Sequence, residues 1–445
     1  MRERLSMAEL TERFDPAPLV PPSLLDERER DLKRLGMPVP VVYQPAIRWE
    51  YRVDYLGMVA AGADDPHRRL RHQLLRGASS TKYFVSGSRG AGKSTVINGI
   101  RVDPEIRERY VIIGFSVHDY LNLDDASADQ LIAVLIALVV EAVQSYEGLA
   151  KAGLPEVKEA LAELRTLLRE AMPHVRLDSV DVKLFGLAAA KFKDSGGIRT
   201  TFRQYMGRNP TAVLDLLDRL LDVLQRAADK EVLIVIDDLD KVADSKAQSD
   251  FFSTKLTQLL RPRCRAIYTY PMELERNPDY SSLKAQKKFV FRNVKLIVGV
   301  DDDTLRPDGT RVLSKFIEHR LDGPIERYIE PSLLPQMYRY SSGNFRELAR
   351  IVGLGFESAD ILERDRLDDE CLRSALKILR RDYASFMLSY RGVLEAVANR
   401  ESLDIEPRVL GPLIQSLALV EFPNDPGWLG VHPIIVDLLA SRTSS

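Results

Sequence analysis

The sequence predicts an α/β fold in which a doubly wound parallel sheet is followed by a helical lid and a C-terminal winged-helix domain. From Pro45 to Asp301, short apolar runs alternate with helical segments, which is the pattern of a parallel sheet covered on both faces. Beyond Asp301 the strand signals stop and helical periodicity continues almost to the C-terminus. The five predicted strands are Tyr83–Ser86, Tyr110–Val117, Val232–Ile236, Arg265–Tyr270 and Val294–Val298.

Composition divides the chain into four predicted parts. Residues 1–45 mix charged runs with proline clusters, and we expect an extended N-terminal arm there. Residues 46–303 form the predicted sheet domain, with a helical insertion at about 146–210. Residues 304–383 form the predicted lid, and residues 384–445 form the winged-helix-like domain, whose hairpin pairs residues 420–422 with residues 428–431.

Part of the predicted insertion is locally basic and contains aromatic residues. One interpretation is a contact with nucleic acid or a partner; the other, which we favour, is a solvated helix face whose aromatic side chains turn inward. The residues concerned are Lys183, Lys191, Lys193, Arg199, Arg203 and Arg208, with Phe192, Phe202 and Tyr205 among them.

The overall composition is that of an ordinary globular protein of 445 residues with 45% hydrophobic residues and a formal charge of −2. Cys264 and Cys371 form no disulfide framework, and the six histidines are scattered, so neither a zinc site nor a catalytic triad is indicated. The N-terminus lacks an apolar signal-peptide core, and Leu131–Val140 is too short to cross a membrane. We therefore expect a cytoplasmic protein without a membrane partner.

A phosphate-binding loop is the strongest chemical signal. Residues 87–94 read Gly-Ser-Arg-Gly-Ala-Gly-Lys-Ser, a complete G-x-x-x-x-G-K-[ST], directly after the first predicted strand. Backbone N–H groups in such a loop face phosphate oxygens, Lys93 reaches the β and γ phosphates, and the Ser94 hydroxyl binds Mg²⁺. The predicted nucleotide-binding residues are Gly87, Ser88, Arg89, Gly90, Ala91, Gly92, Lys93, Ser94 and Thr95.

A second signal is an apolar run that ends in acids, Glu-Val-Leu-Ile-Val-Ile-Asp-Asp-Leu-Asp-Lys at residues 231–241. A buried parallel strand that opens on a ligand crevice has this pattern, whereas a solvated loop after a strand is the alternative. With the phosphate loop in the same chain, we expect Asp237 to hold Mg²⁺ through water and Asp238 to orient the attacking water.

Together these motifs resemble P-loop ATPases of the AAA+/STAND superclass, in particular the origin-recognition clade and bacterial KAP-like, defence-associated ATPases. The paired aspartates of 236–240 are similar to STAND and KAP proteins. The resemblance implies ATP and Mg²⁺ as cofactors, with Thr269 or Tyr270 as a sensor of the γ-phosphate. It also implies that Arg346, in Ser-Gly-Asn-Phe-Arg at 342–346, contacts nucleotide from the lid.

The resemblance further implies an arginine finger that acts on a neighbouring subunit and precedes the last sheet strand. Arg292 has this place if Val294–Val298 is that strand, and a surface arginine is the equal alternative. Arg261 and Arg263 are reserve candidates. The guanine-specific Asn-Lys-x-Asp motif is absent from the sequence, which argues against GTP.

Two functions remain open. The first is a Mg²⁺-dependent ATPase that acts as a nucleotide-driven switch or assembly factor, with a place in anti-phage defence suggested only by the resemblance. The second is a slow or non-hydrolysing ATP-gated scaffold that docks a partner protein or DNA. We expect a homo-oligomer and a protein partner that carries the output activity. DNA is not favoured, because residues 406–419 supply only Arg408 and the predicted wing contains Glu421 and Asp425.

Overall fold

The fold is built on a five-stranded parallel sheet, in which the strands lie side by side in the order second, third, fourth, first and fifth, counted along the chain. The computed structural model describes residues 5–17, 19–34, 66–145, 196–242, 244–275, 277–299, 301–401, 405–422 and 428–443, and the single residues 155, 159, 162, 163 and 166. The strands are β1 (Lys82–Gly87), β2 (Tyr110–Ser116), β3 (Glu231–Asp237), β4 (Arg265–Thr269) and β5 (Lys287–Phe291).

Helices cover both faces of the sheet, because successive side chains of each strand point to opposite faces. In β1, Tyr83 and Val85 face one core, while Phe84 faces the other. The first core is covered by α3 (Pro66–Arg76), α4 (Lys93–Val102) and α5 (Pro104–Arg109). The second is covered by α6 (Val117–Tyr120), α7 (Ala128–Ser145), α8 (Gly196–Arg208) and α9 (Pro210–Ala228). The predicted doubly wound α/β class is confirmed.

Four of the five predicted strands are confirmed, and the fifth is wrong. The last strand is Lys287–Phe291, an edge strand with Lys287 exposed and Phe289 and Phe291 buried. Its two lysines hide the strand pattern in the sequence. The apolar side chains predicted to form the strand, such as Val294 and Leu296, pack instead into the core of the lid.

The connections between these elements are short helical segments. They comprise α10 (Ser245–Ser249), α11 (Leu256–Leu260) and α12 (Ser281–Lys284), with a π-helical turn at Asp250–Thr254 between the first two. Single 3₁₀ turns occur at Leu123–Asp125, Leu239–Lys241, Met272–Glu275, Pro278–Tyr280, Ile325–Arg327 and Pro331–Leu333.

The lid and the C-terminal elements share one hydrophobic core. The lid contains α13 (Pro307–Glu318), α14 (Leu334–Ser341), α15 (Phe345–Ile361) and α16 (Asp369–Ala398). The C-terminal part contains α17 (Pro407–Gln415), the antiparallel strands β6 (Leu419–Phe422) and β7 (Trp428–Val431), and α18 (Pro433–Thr443). Helix α16 runs across the predicted boundary at residue 383 and is kinked at Tyr390. The predicted hairpin is confirmed, and Trp428 stacks on Phe422 across it, with ring centroids 4.1 Å apart.

The described part of the N-terminal arm is helical, where we expected extended chain. Helix α1 (Met7–Arg13) begins with a capping box formed by Ser6 and Glu9, and α2 (Pro22–Arg34) follows the prolines. The helical form is stabilised by partners that are distant in sequence, since the buried Phe14 packs against Phe356 of α15. Helix α1 therefore lies along the lid, whereas Leu19 and α2 contact the sheet domain.

The predicted insertion at 146–210 lies mostly outside the described residues, including Lys183, Lys191 and Lys193. In its described part, Phe202 of α8 is buried and Arg203 binds the Asp125 carboxylate at 2.8 Å. This arrangement supports the interpretation of a helix whose aromatic side chain turns inward. Among the described residues, no helix is both long and apolar enough to cross a membrane.

Candidate nucleotide-binding site

The candidate site lies at the carboxyl edge of the sheet, where a ligand crevice is expected in a parallel α/β fold. The phosphate loop follows β1, Asp237 ends β3, Thr269 ends β4, and Arg292 follows β5. A cavity of about 900 Å³ opens there. The phosphate loop, the acidic loop after β3, the N-terminal arm, the lid and α17 all contribute to its lining.

The phosphate loop has the backbone that its glycines predict. Gly90 and Gly92 have φ angles of 85° and 87°, which are left-handed and strained for other residues. A Cβ atom on Gly90 would lie 2.4 Å from the Cβ of Arg346, so the lid approaches too closely for any side chain. Helix α4 begins at Lys93 without a side-chain cap, and its N-terminus faces the cavity as an anion-binding end.

Lys93 is buried, with only 7% of its surface exposed. Its Nζ atom lies 2.6 Å from Oδ2 of Asp240 and donates to the carbonyl oxygen of Gly87 at 3.4 Å. Burial opposes the positive charge, but Asp240, together with Asp237 and Asp238, outweighs burial and raises the pKa of Lys93. The structure thus brings Lys93, the predicted phosphate-binding lysine, to the cavity and pairs it with Asp240, which was not among the predicted site residues.

The two predicted catalytic acids differ in their surroundings. Asp237 accepts a hydrogen bond from the N–H of Asp238 at 2.8 Å, and burial, reinforced by the neighbouring Asp238 and Asp240, raises the pKa of Asp237 to about 7. Asp238 has a left-handed φ of 68° and binds Lys241 Nζ at 2.7 Å and the hydroxyl of Ser116. Burial opposes its charge, but Lys241 and Ser116 lower its pKa.

The donor set fits a magnesium ion that arrives with nucleotide. Carboxylate oxygens of Asp237, Asp238 and Asp240 lie within 4.8 Å of one another, and Ser94 lines the same cavity. Hard oxygen donors of this kind suit Mg²⁺, and the concentrated negative charge would favour a divalent cation. Ser94 and Asp237 are the residues that the motifs assign to the ion, and that assignment remains a prediction.

Thr269 and Tyr270, the predicted phosphate sensors, have their side chains in the protein interior. The hydroxyl of Thr269 accepts a hydrogen bond from the N–H of Leu239 at 3.0 Å, which fixes the loop that carries the acids. The Tyr270 hydroxyl donates to Glu275. In this structure Thr269 therefore positions the acidic loop.

The lid contacts the phosphate loop through the motif at 342–346. Asn344 donates from Nδ2 to the carbonyl oxygen of Arg89 at 2.7 Å and to Oδ1 of Asn293 at 2.9 Å, while its Oδ1 caps α15. Sequence reasoning quoted Asn344 without assigning it a role; its position as the N-cap of α15 was the available signal.

Arg346 lines the cavity from the first turn of α15. Its Nε atom is buried and has no hydrogen-bond partner within the described part of the chain. Burial, with a contribution from Arg89, lowers the pKa of Arg346. A guanidinium group held in this way has donors available for an anion.

Arg292 directly follows the last strand instead of preceding it, which corrects the expectation for a finger. It lines the cavity beside the phosphate loop of its own chain, and its Nε lies 3.5 Å from Oε2 of Glu421 in β6. The reserve candidates precede β4 and lie at the opposite edge of the sheet, where Arg261 pairs with Asp215 and Arg263 with Asp218.

The arm and the C-terminal part add contacts that the sequence did not reveal. The Thr95 hydroxyl accepts a hydrogen bond from the N–H of Leu19 at 3.3 Å, so the arm is tied to the start of α4. Glu273, which is 6% exposed and lines the cavity, accepts a hydrogen bond from Nε2 of Gln415 in α17 at 2.7 Å. Burial raises the pKa of Glu273. Such contacts join segments far apart in sequence, and local patterns carry no signal for them.

One family model matches part of the chain. Residues 64–266 match the family model AAA_16, described as an AAA ATPase domain, over less than half of the chain. The match includes the phosphate loop and the acidic loop after β3, and it ends within β4, before Arg292 and the lid. No curated protein matches the sequence.

The similar solved structures are distant. The Orc1 protein of Aeropyrum pernix in complex with DNA has 12% identity and a TM-score of 0.37, with 89% of this chain and 97% of that chain covered. Cdc6p from Pyrobaculum aerophilum has 13% identity and a TM-score of 0.36, covering 89% and 96%. Drosophila ORC bound to DNA has 12% identity and a TM-score of 0.33, covering 93% and 99%. The likeness to these three structures does not identify a function. The match to the family model shows that residues 64–266, with their phosphate loop and acidic strand, are similar to AAA ATPase domains.

Proposed function

We propose that the protein is a Mg²⁺-dependent ATPase that acts as a nucleotide-driven switch or assembly factor. The observation that carries this proposal is the contact between the lid and the phosphate loop. Asn344 binds the backbone of the loop, and Arg346, two residues later, lines the same cavity as Lys93. A triphosphate in the cavity would therefore meet cationic groups of both the sheet domain and the lid.

Each group has a role that follows from its chemistry. The backbone of the phosphate loop and the ammonium group of Lys93 would bind the β and γ phosphates. Ser94 and Asp237 would hold Mg²⁺, which neutralises phosphate charge when it is bound. The guanidinium group of Arg346 would complete the binding of the phosphates from the lid, and it would do so only when the lid is closed.

The switch would arise because these contacts differ between bound and free states. A ligand shifts a conformational equilibrium only through its differential affinity for the two states. Here the phosphates would stabilise the closed position of the lid by binding Arg346. Movement of the lid would reach the C-terminal part, since both share one core and since Gln415 and Glu421 bind residues of the cavity.

The partners belong to the proposal as well. We infer a homo-oligomer and a protein partner that carries the output activity, because the motifs of this chain account for nucleotide chemistry alone. DNA is the less favoured partner, since Arg408 in α17 is already paired with Glu406. A place in anti-phage defence would rest on the resemblance to KAP-like ATPases.

Phosphate release at saturating ATP, with and without Mg²⁺, tests the proposal. We expect Mg²⁺-dependent turnover by the wild-type protein, and a change in mass distribution by mass photometry when ATP is added. Tight ATP binding without phosphate release over hours would instead support the ATP-gated scaffold. Absence of ATP binding would reject both functions.

A further inference from the structure

The acidic loop after β3 presents two acids to the cavity, and their carboxylates are held differently. Asp238 has a partner on each oxygen, with Lys241 on Oδ1 and the Ser116 hydroxyl on Oδ2. Asp240 binds Lys93 through Oδ2 at 2.6 Å, while its Oδ1 is buried and has no hydrogen-bond partner among the described residues. Of these two acids, Asp240 alone contacts the phosphate loop, and it alone has a carboxylate oxygen without a hydrogen-bond partner in the described part of the chain.

The position of Asp240 follows from what Lys93 does in a phosphate loop. A phosphate oxygen that binds Nζ of Lys93 must approach to about the distance at which Asp240 now lies, roughly 2.7–2.9 Å. The ammonium group has three N–H donors, and the Asp240 carboxylate and the Gly87 carbonyl oxygen take two of them, so a phosphate oxygen bound to the third would lie beside Asp240. Repulsion between the two negative groups would turn the carboxylate away from Lys93 and leave it beside the terminal phosphate.

The backbone around Asp240 is fixed, so this displacement is a side-chain movement. The N–H of Leu239 binds the Thr269 hydroxyl at 3.0 Å, and the N–H of Lys241 binds the carbonyl oxygen of Asp238 at 3.1 Å. The partners of Asp238 lie on β2 and on the loop itself. Asp238 thus holds the loop in place, whereas the side chain of Asp240 faces the phosphate loop.

We propose that Asp240 positions the attacking water for hydrolysis, with Asp238 as a positioning residue, and that the Asp240–Lys93 ion pair holds the site between turnovers. This inference rests on the proposed ATPase function. In the reaction, the water donates a hydrogen bond to Asp240 and its oxygen bonds to the γ-phosphorus. The bond from that phosphorus to the β–γ bridging oxygen breaks, and ADP and inorganic phosphate leave with the water's protons on the phosphate.

Two matched substitutions separate the acids. Asp240→Asn removes a negative charge beside the phosphates, so we expect MgATP to bind about tenfold more tightly while turnover falls by at least about 10²-fold. Asp238→Asn should retain MgATP binding and slow turnover by less than about tenfold, because it weakens only the contacts of Asp238 with Lys241 and Ser116 that hold the loop. Asp222→Asn in α9, whose side chain is 42% exposed and lies outside the cavity lining, is the control for the substitution itself and should match wild type.

Calorimetry with MgATP and steady-state phosphate release, together with thermal melting to confirm folding, decide the question. Tighter binding with lost turnover in Asp240→Asn supports the proposal, as does partial recovery of turnover in Asp240→Glu. If wild type hydrolyses ATP and Asp240→Asn does too, or if Asp238→Asn is the more damaged variant, the assignment to Asp240 is overturned while the ATPase function stands. If wild type binds MgATP without turnover, the ATPase function itself fails, and with it any catalytic role of Asp240.

Discussion

Replacement of Lys93 by alanine perturbs both stability and binding, and the structure gives a magnitude for each. Lys93 is 7% exposed and neutralises Asp240, whose side chain is 16% exposed. Removing one partner of a buried ion pair costs about 3–5 kcal/mol. We expect the lower end, about 3 kcal/mol, because Asp240 keeps some contact with water and because Asp237, with a pKa of about 7, takes up a proton readily.

The loss of binding free energy for MgATP should be larger than this loss of stability. Hydrogen bonds to charged groups contribute about 1.5–3 kcal/mol each, and Lys93 is assigned two phosphates, so about 3–6 kcal/mol disappears. The Kd for MgATP should therefore rise by roughly 10²–10⁴-fold. Calorimetry measures the Kd, and urea unfolding without nucleotide measures the stability.

Two further variants make this result specific. Lys230→Ala removes a lysine whose ammonium group binds the carbonyl oxygen of Arg107, away from the cavity, and it should change neither quantity appreciably. Lys93→Ala combined with Asp240→Asn should regain most of the lost stability, because the unpaired charge is gone, without regaining ATP affinity. The reasoning is refuted if Lys93→Ala binds ATP like wild type, or if the double variant is no more stable than the single one.

Three other predictions concern neighbouring groups. Arg292→Ala should weaken ATP hydrolysis within its own chain, so mixing it with Lys93→Ala subunits should not restore activity; recovery on mixing would restore the role of a finger in trans. Asn344→Ala should lower stability by about 1–3 kcal/mol in urea unfolding, because Arg89 and Asn293 lose a buried partner. An unchanged midpoint would contradict that contact. Because folding raises the pKa of Asp237, this residue stabilises the nucleotide-free protein fully at pH values below 3.8, the ordinary pKa of the carboxyl group. This contribution is lost as the pH rises through about 7. Wild type should therefore lose stability relative to Asp237→Asn between those pH values, and a constant difference would show that Asp237 is not buried in this way.

The features that the sequence predicted correctly are those set by neighbouring residues. The phosphate loop needs glycines at fixed positions, and β3 is an uninterrupted apolar run because it is buried on both faces. The apolar run from Leu131 to Val140 lies in helix α7, and every one of its residues is buried. In each case the local pattern and the final environment agree.

The errors occurred where distant contacts decide the structure. Strand β5 lies at the sheet edge, where its lysine side chains can stay in contact with water, so its hydrophobic strand pattern is weak in the sequence. Helix α1 of the arm is stabilised by Phe14, which packs against Phe316 and Phe356 of the lid. The pairing of Asp240 with Lys93 joins residues of two loops, and neither loop alone reveals which acid after β3 reaches the phosphate site.

The central claim is that nucleotide in the cavity stabilises the contact between the lid and the phosphate loop through Arg346. Hydrogen exchange of the backbone amides at 343–350, followed with and without saturating MgATP, measures this directly. In wild type we predict that MgATP slows exchange there by at least about tenfold, because closure stabilises the first turns of α15. In Arg346→Ala we predict protection of the phosphate loop but not of the lid. Equal lid protection in both proteins, or none in wild type when the phosphate loop is saturated, would contradict the account.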